Sequence, residues 1–104
     1  MPPPLSVSYA AASILLAISS GYRYGFDIMD CTGLPSGTVY PALRRLEEGG
    51  LITSEWERMK IAQQDQRPAR KYYSVSNFGD RALETALRRY PLLDRVAVSL
   101  PQKT

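Results

Sequence analysis

One stretch limits the folds open to this chain more than any other: Ser36-Gly37-Thr38-Val39-Tyr40-Pro41-Ala42-Leu43-Arg44-Arg45-Leu46-Glu47-Glu48-Gly49-Gly50. It reads as a short helix with a start signal, a buried stripe, a basic outer face and a stop signal. Ser36 is the expected N-cap, its hydroxyl accepting from an otherwise unpaired amide two or three residues on. Val39, Leu43 and Leu46 fall at i, i+4 and i+7, one face of a helix. Gly37, Thr38, Pro41, Arg44 and Arg45 fall opposite, with Tyr40 at the edge. Pro41 lies just past the first turn, so at most one backbone bond is lost and a slight kink is expected. Gly49-Gly50 ends the helix, because glycine takes the left-handed conformation of a C-terminus without penalty. An outer face of arginines, a hydroxyl and small residues suits the major groove of DNA. Arginine pairs with guanine edges or phosphates, and small residues let the helix approach closely.

The elements before it supply a platform. Ser8 to Ser19 reads as a first helix, apolar on almost every side, which must be enclosed by other elements. Gly21 ends it. Tyr22 to Cys31 reads as a second, short helix in which Tyr24 and Ile28, four apart, pack into the core. Arg23 is either a phosphate contact or a solvated surface arginine. Thr32-Gly33-Leu34-Pro35 is a turn, since Gly33 gives conformational freedom and Pro35 blocks continuation of the helix. Two short helices joined by a glycine-containing turn make a helix-turn-helix. Met1 to Leu5, with three prolines, reads as an irregular arm.

After Gly50 the period changes from helical to two. Leu51 to Glu57 alternates, with Ile52, Ser54 and Trp56 on one face. Arg70 to Val75 is a second strand rich in tyrosine, and a polar loop is expected from about Arg58 to Pro68. The two strands form a hairpin with a basic tip. Between Arg58 and Lys71 there are five bases and one acid, although the whole chain carries only +3; such a local excess is an electrostatic footprint for phosphate. Trp56 is expected to pack against the sheet or core.

The last segment starts a helix near Ser76 or Asn77. Leu83, Ala86, Leu87 and Tyr90 form an i, i+3, i+4, i+7 stripe, Pro91 kinks or ends the helix at Tyr90, and the stripe resumes with Leu93, Ala97 and Leu100. An apolar surface without an obvious partner in so small a domain points to an interface between copies of the chain.

Several function classes are excluded by counting. There is one cysteine, Cys31, and no histidine, so neither an intrachain disulfide nor a Cys/His metal site can form. Cys31 reads as a small buried hydrophobe rather than a redox group. The apolar run Ala10 to Ile18 lacks a preceding positive charge and is too short to span a bilayer, so it reads as a core helix and the protein as cytoplasmic. Glu47 and Glu48 are adjacent and diverge around a helix, and no nucleophile–base pair or phosphate-cradling glycine loop is present, so an enzyme is not expected. No cofactor is expected either.

Beyond these physical signals, four stretches resemble the PadR family of bacterial transcriptional regulators: Tyr24-Gly25-Phe26-Asp27-Ile28 loosely, Ser36 through Glu47 closely, then Gly50-Leu51-Ile52 and Arg70-Lys71-Tyr72-Tyr73. The resemblance covers about Ser8 to Leu87. It implies a cytoplasmic homodimer that binds a palindromic operator on double-stranded DNA, usually as a repressor, with the third helix in the major groove and the wing on adjacent backbone or minor groove. By position, the DNA-facing candidates are Ser36, Thr38, Tyr40, Arg44 and Arg45 on the helix, with Arg67, Arg70 and Lys71 on the wing. Many family members respond to a small aromatic effector at the dimer interface. Trp56, Tyr9 and Tyr90 would line such a pocket here, although plain dimer packing accounts for the same residues. Two departures stand out. The wing tip lacks the glycines the family often places there, and the C-terminal segment is short and interrupted by Pro91.

The expected architecture is therefore mainly α with a small antiparallel β-hairpin: a winged helix-turn-helix domain over residues 1–76 and a C-terminal helical dimerisation segment over 77–104, together one compact unit. The expected dimer contacts are Leu83, Ala86, Leu87, Tyr90, Leu93, Ala97 and Leu100. The expected function is sequence-specific transcriptional regulation; the alternative is a winged-helix module that binds protein and not DNA.

Overall fold

The first helix organises everything else. In the computed structural model, which describes residues 7–103, α1 spans Tyr9–Ser19, capped by Ser8, whose hydroxyl accepts from the Ala11 amide at 3.1 Å. Its residues Ala12, Ile14, Leu15, Leu16, Ala17 and Ile18 are all buried, and α2, α3, α5 and the second strand pack around it. A helix apolar on every side thus sits at the centre of the domain. The proline-rich arm expected over residues 1–5 lies outside the described residues.

Helix α2 spans Gly25–Thr32, starting three residues later than its apolar pattern suggested. The Tyr22 amide bonds back to the Ala17 carbonyl at 2.9 Å, and Tyr24 is extended, so the chain is still turning where a helix was expected. Gly33 closes α2 at φ 74°, its amide on the Met29 carbonyl. Helix α3 spans Ser36–Glu48. Its cap is Pro35, not Ser36: the Pro35 carbonyl accepts from the Thr38 and Val39 amides at 2.9 and 3.0 Å, and Ser36 is already helical. The ring's fixed φ holds Pro35 in the extended conformation a cap requires, which draws the boundary back by one residue. The helix runs on through Pro41. It ends at Gly49 and Gly50, with Gly50 at φ 78° and the Leu51 amide reaching back to the Leu46 carbonyl at 2.9 Å.

Strands β1 (Ile52–Trp56) and β2 (Lys71–Val75) pair antiparallel, with Ile52 opposite Val75 and Trp56 opposite Lys71. The segment between them is not a loop throughout. Residues Met59–Gln64 form α4, with Ala62 turned inward and almost fully buried. In place of a glycine, Gln66 takes the left-handed conformation at φ 55° as the chain returns.

Helix α5 spans Asn77–Arg89, and Ser76 is its cap. Its hydroxyl accepts from the Gly79 amide at 3.0 Å and donates to the Gly50 carbonyl at 2.6 Å, tying the helix start to the end of α3. Pro91 separates α5 from α6 (Pro91–Ser99), as its missing N–H requires. The C-terminal stripe is not left open. Leu83, Ala86 and Leu93 belong to the core, and Leu87, Tyr90, Ala97 and Leu100 pack against it. The turn at Tyr90 folds α6 back, and Tyr90 meets the start of α1 through an edge-on contact with Tyr9 and a 3.0 Å bond to the Val7 carbonyl. The expectation of an unpartnered stripe is thereby corrected: the break at Pro91 lets one chain cover its own apolar face. The large apolar side chains that stay exposed on α6 are Leu92, Val96 and Val98. No described helix is long and apolar enough to cross a membrane.

Candidate nucleic-acid interface

Helix α3 is held by Val39, Ala42, Leu43 and Leu46, all buried. That fixes which side chains face out. Arg44 lies near the centre of the outer arc, in line with Gly37 and Pro41. Arg45 diverges from it by about 100° of helical rotation and shares an edge with Thr38. That edge borders a cavity beside Val7, Ser8 and Ala11 of the α1 region. Ser36 and Tyr40 lie on the opposite edge, toward the wing. Ser36, Tyr40, Arg44 and Arg45 are exposed and Thr38 half-buried. The expected set thus wraps the outer arc rather than forming one line. Among the described residues neither Arg44 nor Arg45 has a hydrogen-bond or ion-pair partner.

The acidic end of the helix divides in two. Glu48 is exposed. Glu47 turns to the hairpin, where its carboxylate accepts from the Ser54 hydroxyl and pairs with Lys71 Nζ at 3.5 Å. Lys71 therefore links the wing and α3, and also lies 5.8 Å from the rings of both Trp56 and Tyr73. Burial first, and then the Glu47 charge and Tyr40, push the Tyr73 phenol above its ordinary value.

The wing cations are not equivalent. Arg67 grips Glu57 in a two-pronged contact, Nη1 to Oε1 at 2.6 Å and Nη2 to Oε2 at 2.8 Å, and also reaches Asp65 at 3.1 Å. Its side chain is 20% exposed and that of Glu57 only 7%. Glu57 accepts further from the Arg70 amide and the Tyr72 hydroxyl, each at 3.3 Å. The Arg67 hydrogen bonds, above all, hold the Glu57 carboxyl down at about 2. Arg67, expected to face DNA, also fastens the wing. A bidentate carboxylate matches the planar guanidinium in geometry as well as charge. Arg70 lies over the Tyr24 ring, 4.1 Å from its centroid.

Arg23 is an exposed arginine whose guanidinium is also engaged within the chain. It donates to the Tyr73 carbonyl at 2.9 Å and the Ser74 hydroxyl at 2.8 Å, while its carbonyl accepts from the Tyr73 amide. The start of α2 is thereby bound to β2.

Between α3, the start of α2 and the wing opens a cleft of about 690 Å³. Phe26, Tyr40 and Trp56 reach it with 67%, 48% and 65% of their surfaces exposed. Arg67, Arg70 and Lys71 also line it, and no carboxylate does among the described residues. Trp56, expected in the sheet packing or core, is here because burial fades along β1: Ile52 is buried, Ser54 half-buried and Trp56 exposed at the far end. Phe26 and Tyr24 were not expected at the site, Tyr24 having been read as core. Gly25 beside them carried a signal: a Cβ there would come within 2.8 Å of the Tyr40 ring, so the missing side chain lets Tyr40 lie against α2.

Trp56 does not join Tyr9 and Tyr90 within the chain. Beside Tyr9 lies a separate cavity of about 190 Å³, bordered by Cys31 and Leu93. Burial, followed by Asp30, raises the Cys31 thiol above its ordinary value, so it stays protonated.

The sequence model of the Transcriptional regulator PadR-like family matches residues 14–85. Similar solved structures include a PadR family transcription regulator from Clostridium difficile. It is 27% identical, with a TM-score of 0.69, over 88% of this chain and 97% of that one. A PadR-like transcription factor from Bacteroides fragilis is 25% identical, with a TM-score of 0.65, over 86% and 87% of the two chains. A transcriptional regulator from Clostridium thermocellum, 22% identical over 88% and 92% with a TM-score of 0.67, shares the fold. No curated protein matches the sequence.

Proposed function

The chain belongs to the PadR-like family of transcriptional regulators, and from that premise we propose that it binds operator DNA as a homodimer and represses transcription. The observation that carries this reading is the surface formed by α3 and the adjoining cleft. Among the described residues, two unpartnered arginines stand on the helix, and the cleft beside them is lined by cations and aromatic rings without a carboxylate. Arg44, with Ser36, Thr38 and Tyr40 around it, would read base edges in the major groove. Arg45, Arg70 and Lys71 would set register on phosphate. A backbone strand would lie in the cleft, its sugars against Tyr40 and Trp56.

Dimerisation through the segment from residue 77 onward is part of the same proposal. The apolar residues left exposed on α6, Leu92, Val96 and Val98, are the side chains a second copy would cover. Leu83, Ala86, Leu87, Tyr90, Leu93, Ala97 and Leu100 would shape that interface from beneath. A two-fold dimer calls for a palindromic operator with half-site centres about one helical turn apart. Release by a small aromatic effector draws support from the Tyr9–Tyr90 pair. The neighbouring 190 Å³ cavity falls below the usual range for a ligand site, roughly 300 Å³ and upward, so the partner copy would have to complete it. A cytoplasmic location follows from the regulatory role.

The test is titration of the chain with duplex fragments from upstream of its own coding region, at several salt concentrations. Neutralised phosphates release counterions, so affinity should fall steeply as salt rises. An affinity indifferent to salt and to sequence would overturn the reading.

A further inference from the structure

The residues that follow α6 return to the junction of α1 and α2. The Lys103 amide donates to the Ser20 carbonyl at 2.8 Å, and the Tyr22 hydroxyl donates to the Pro101 carbonyl at 3.2 Å. Gly21 leaves room for this strap: a Cβ there would come within 2.5 Å of the Lys103 carbonyl oxygen. The Lys103 ammonium pairs with the carboxylate of Asp27, a side chain only 14% exposed. Among the described residues no hydrogen bond reaches the buried Asp27 Oδ2, so Lys103 is its counter-ion. The same ammonium lies 5.6 Å from the centroids of the Tyr22 and Tyr24 rings, within reach of a cation–π contact. Tyr24 in turn carries Arg70, 4.1 Å from its centroid, and meets Tyr72 edge-on at 5.6 Å. No carboxylate pairs with Arg70 among the described residues, so the Tyr24 ring supports its guanidinium.

We propose that Lys103 is a positioning residue for the DNA-facing cleft: paired with Asp27, it holds Tyr24 in the pose that presents Arg70 to phosphate. The proposal rests on the DNA-binding reading and adds a pair of residues that line neither α3 nor the cleft. Tyr24 is extended and precedes the first turn of α2, and among the described residues its hydroxyl makes no hydrogen bond. The rings and cations around it therefore set its rotamer. A carboxylate buried as far as Asp27 is costly without a partner, which keeps Lys103 in place. Removing either member of the pair frees the strap, lets the Tyr24 ring turn and takes Arg70 from its support. Asp27 thus favours binding to a polyanion although its own charge repels phosphate.

The experiment compares operator affinity and its salt slope, by fluorescence anisotropy, for the wild type, Lys103→Met, Asp27→Asn and each of these combined with Arg70→Ala, with thermal melts to check folding. Lys103→Met keeps an unbranched side chain and removes the charge. Lys103→Met and Asp27→Asn should each weaken binding several-fold and lower the salt slope by about one, the loss of one phosphate contact. Beside Arg70→Ala neither should matter further, because the three residues act as one unit. The Lys103 amide, bonded to Ser20 in the wild type, should exchange faster in Asp27→Asn. The Lys103 side chain is 41% exposed, so Lys103→Met carries the comparison should Asp27→Asn melt at the assay temperature. If charge alone acted, Asp27→Asn would bind DNA more tightly, since the chain gains a positive unit; that outcome overturns the proposal. A Lys103→Met loss that persists undiminished beside Arg70→Ala would make Lys103 a phosphate contact itself and overturns it as well. So does wild-type affinity in Lys103→Met. Each of these leaves the DNA reading intact, whereas duplex binding by none of the proteins overturns both.

Discussion

Arg67 and Glu57 face each other across the neck of the wing in two parallel hydrogen bonds of 2.6 and 2.8 Å. This pair holds the Glu57 carboxyl at about 2, below its ordinary 4.5, with the Arg67 hydrogen bonds as the largest cause. A carboxyl lowered in the folded state stabilises that state fully above its unfolded value and loses the contribution as pH falls. The wing neck should therefore hold above about pH 4.5 and loosen progressively toward about pH 2. Amide exchange across residues 57–70, followed from pH 6 to pH 2, should show this opening in the wild type. Glu57→Gln should be open already at pH 6; identical exchange in the two proteins would refute the assignment.

Two glycines should respond oppositely to a methyl group. At Gly79 a Cβ would run into the backbone of Leu51 and come within 2.8 Å of Val75 Cγ1, and backbone cannot step aside. Gly79→Ala should cost about 2–3 kcal/mol in urea unfolding. At Gly25 the obstacle is the end of the Tyr40 side chain, which can rotate away. Gly25→Ala should change stability by less than about 1 kcal/mol while moving Tyr40 and weakening operator binding. Equal losses of stability would contradict this account.

On DNA the arginines should separate by role. Arg44→Ala should lose about 1–3 kcal/mol of operator affinity and relax preference at one base position. Arg70→Ala and Lys71→Ala should weaken all sequences alike and flatten the salt slope. Arg67→Ala should lower the melting temperature, with its effect on DNA following the loosened wing. Quantitative mobility shifts on an operator and on scrambled DNA, beside thermal melts, distinguish these outcomes.

Neighbouring positions of α6 should also part company. Leu93 is 3% exposed, and Leu93→Ala should cost about 2–4 kcal/mol of fold stability. Val98 is 85% exposed, so Val98→Asp should leave the unfolding of the isolated chain nearly unchanged yet shift sedimentation from dimer toward monomer. A Val98→Asp protein that remains a dimer would move the interface off α6.

Local chemistry in the sequence determined most of the elements and their order. The apolar run after Ser8, the stripe Val39–Leu43–Leu46, the Gly49-Gly50 stop and the period-two change after Leu51 all depend on spacing and on backbone preferences of single residues. Even the break at Pro91 follows from one missing N–H. The motif around Ser36–Glu47 was likewise legible, as was the family. Tertiary structure alone decided which charges remain available and which apolar faces are covered. Arg67 looked like a free cation, whereas in the fold Glu57 pairs with it. Trp56 shared its strand face with Ile52, yet stands exposed because the core does not extend to the end of β1. The stripe from Leu83 to Leu100 looked like an open interface, but α5 packs on α1, α6 packs on α5, and the stripe is taken into or against the core. The physical reason is the same in each case: periodicity tells a side chain which way to face along its own element, whereas burial and ion pairing depend on what distant residues bring to meet it.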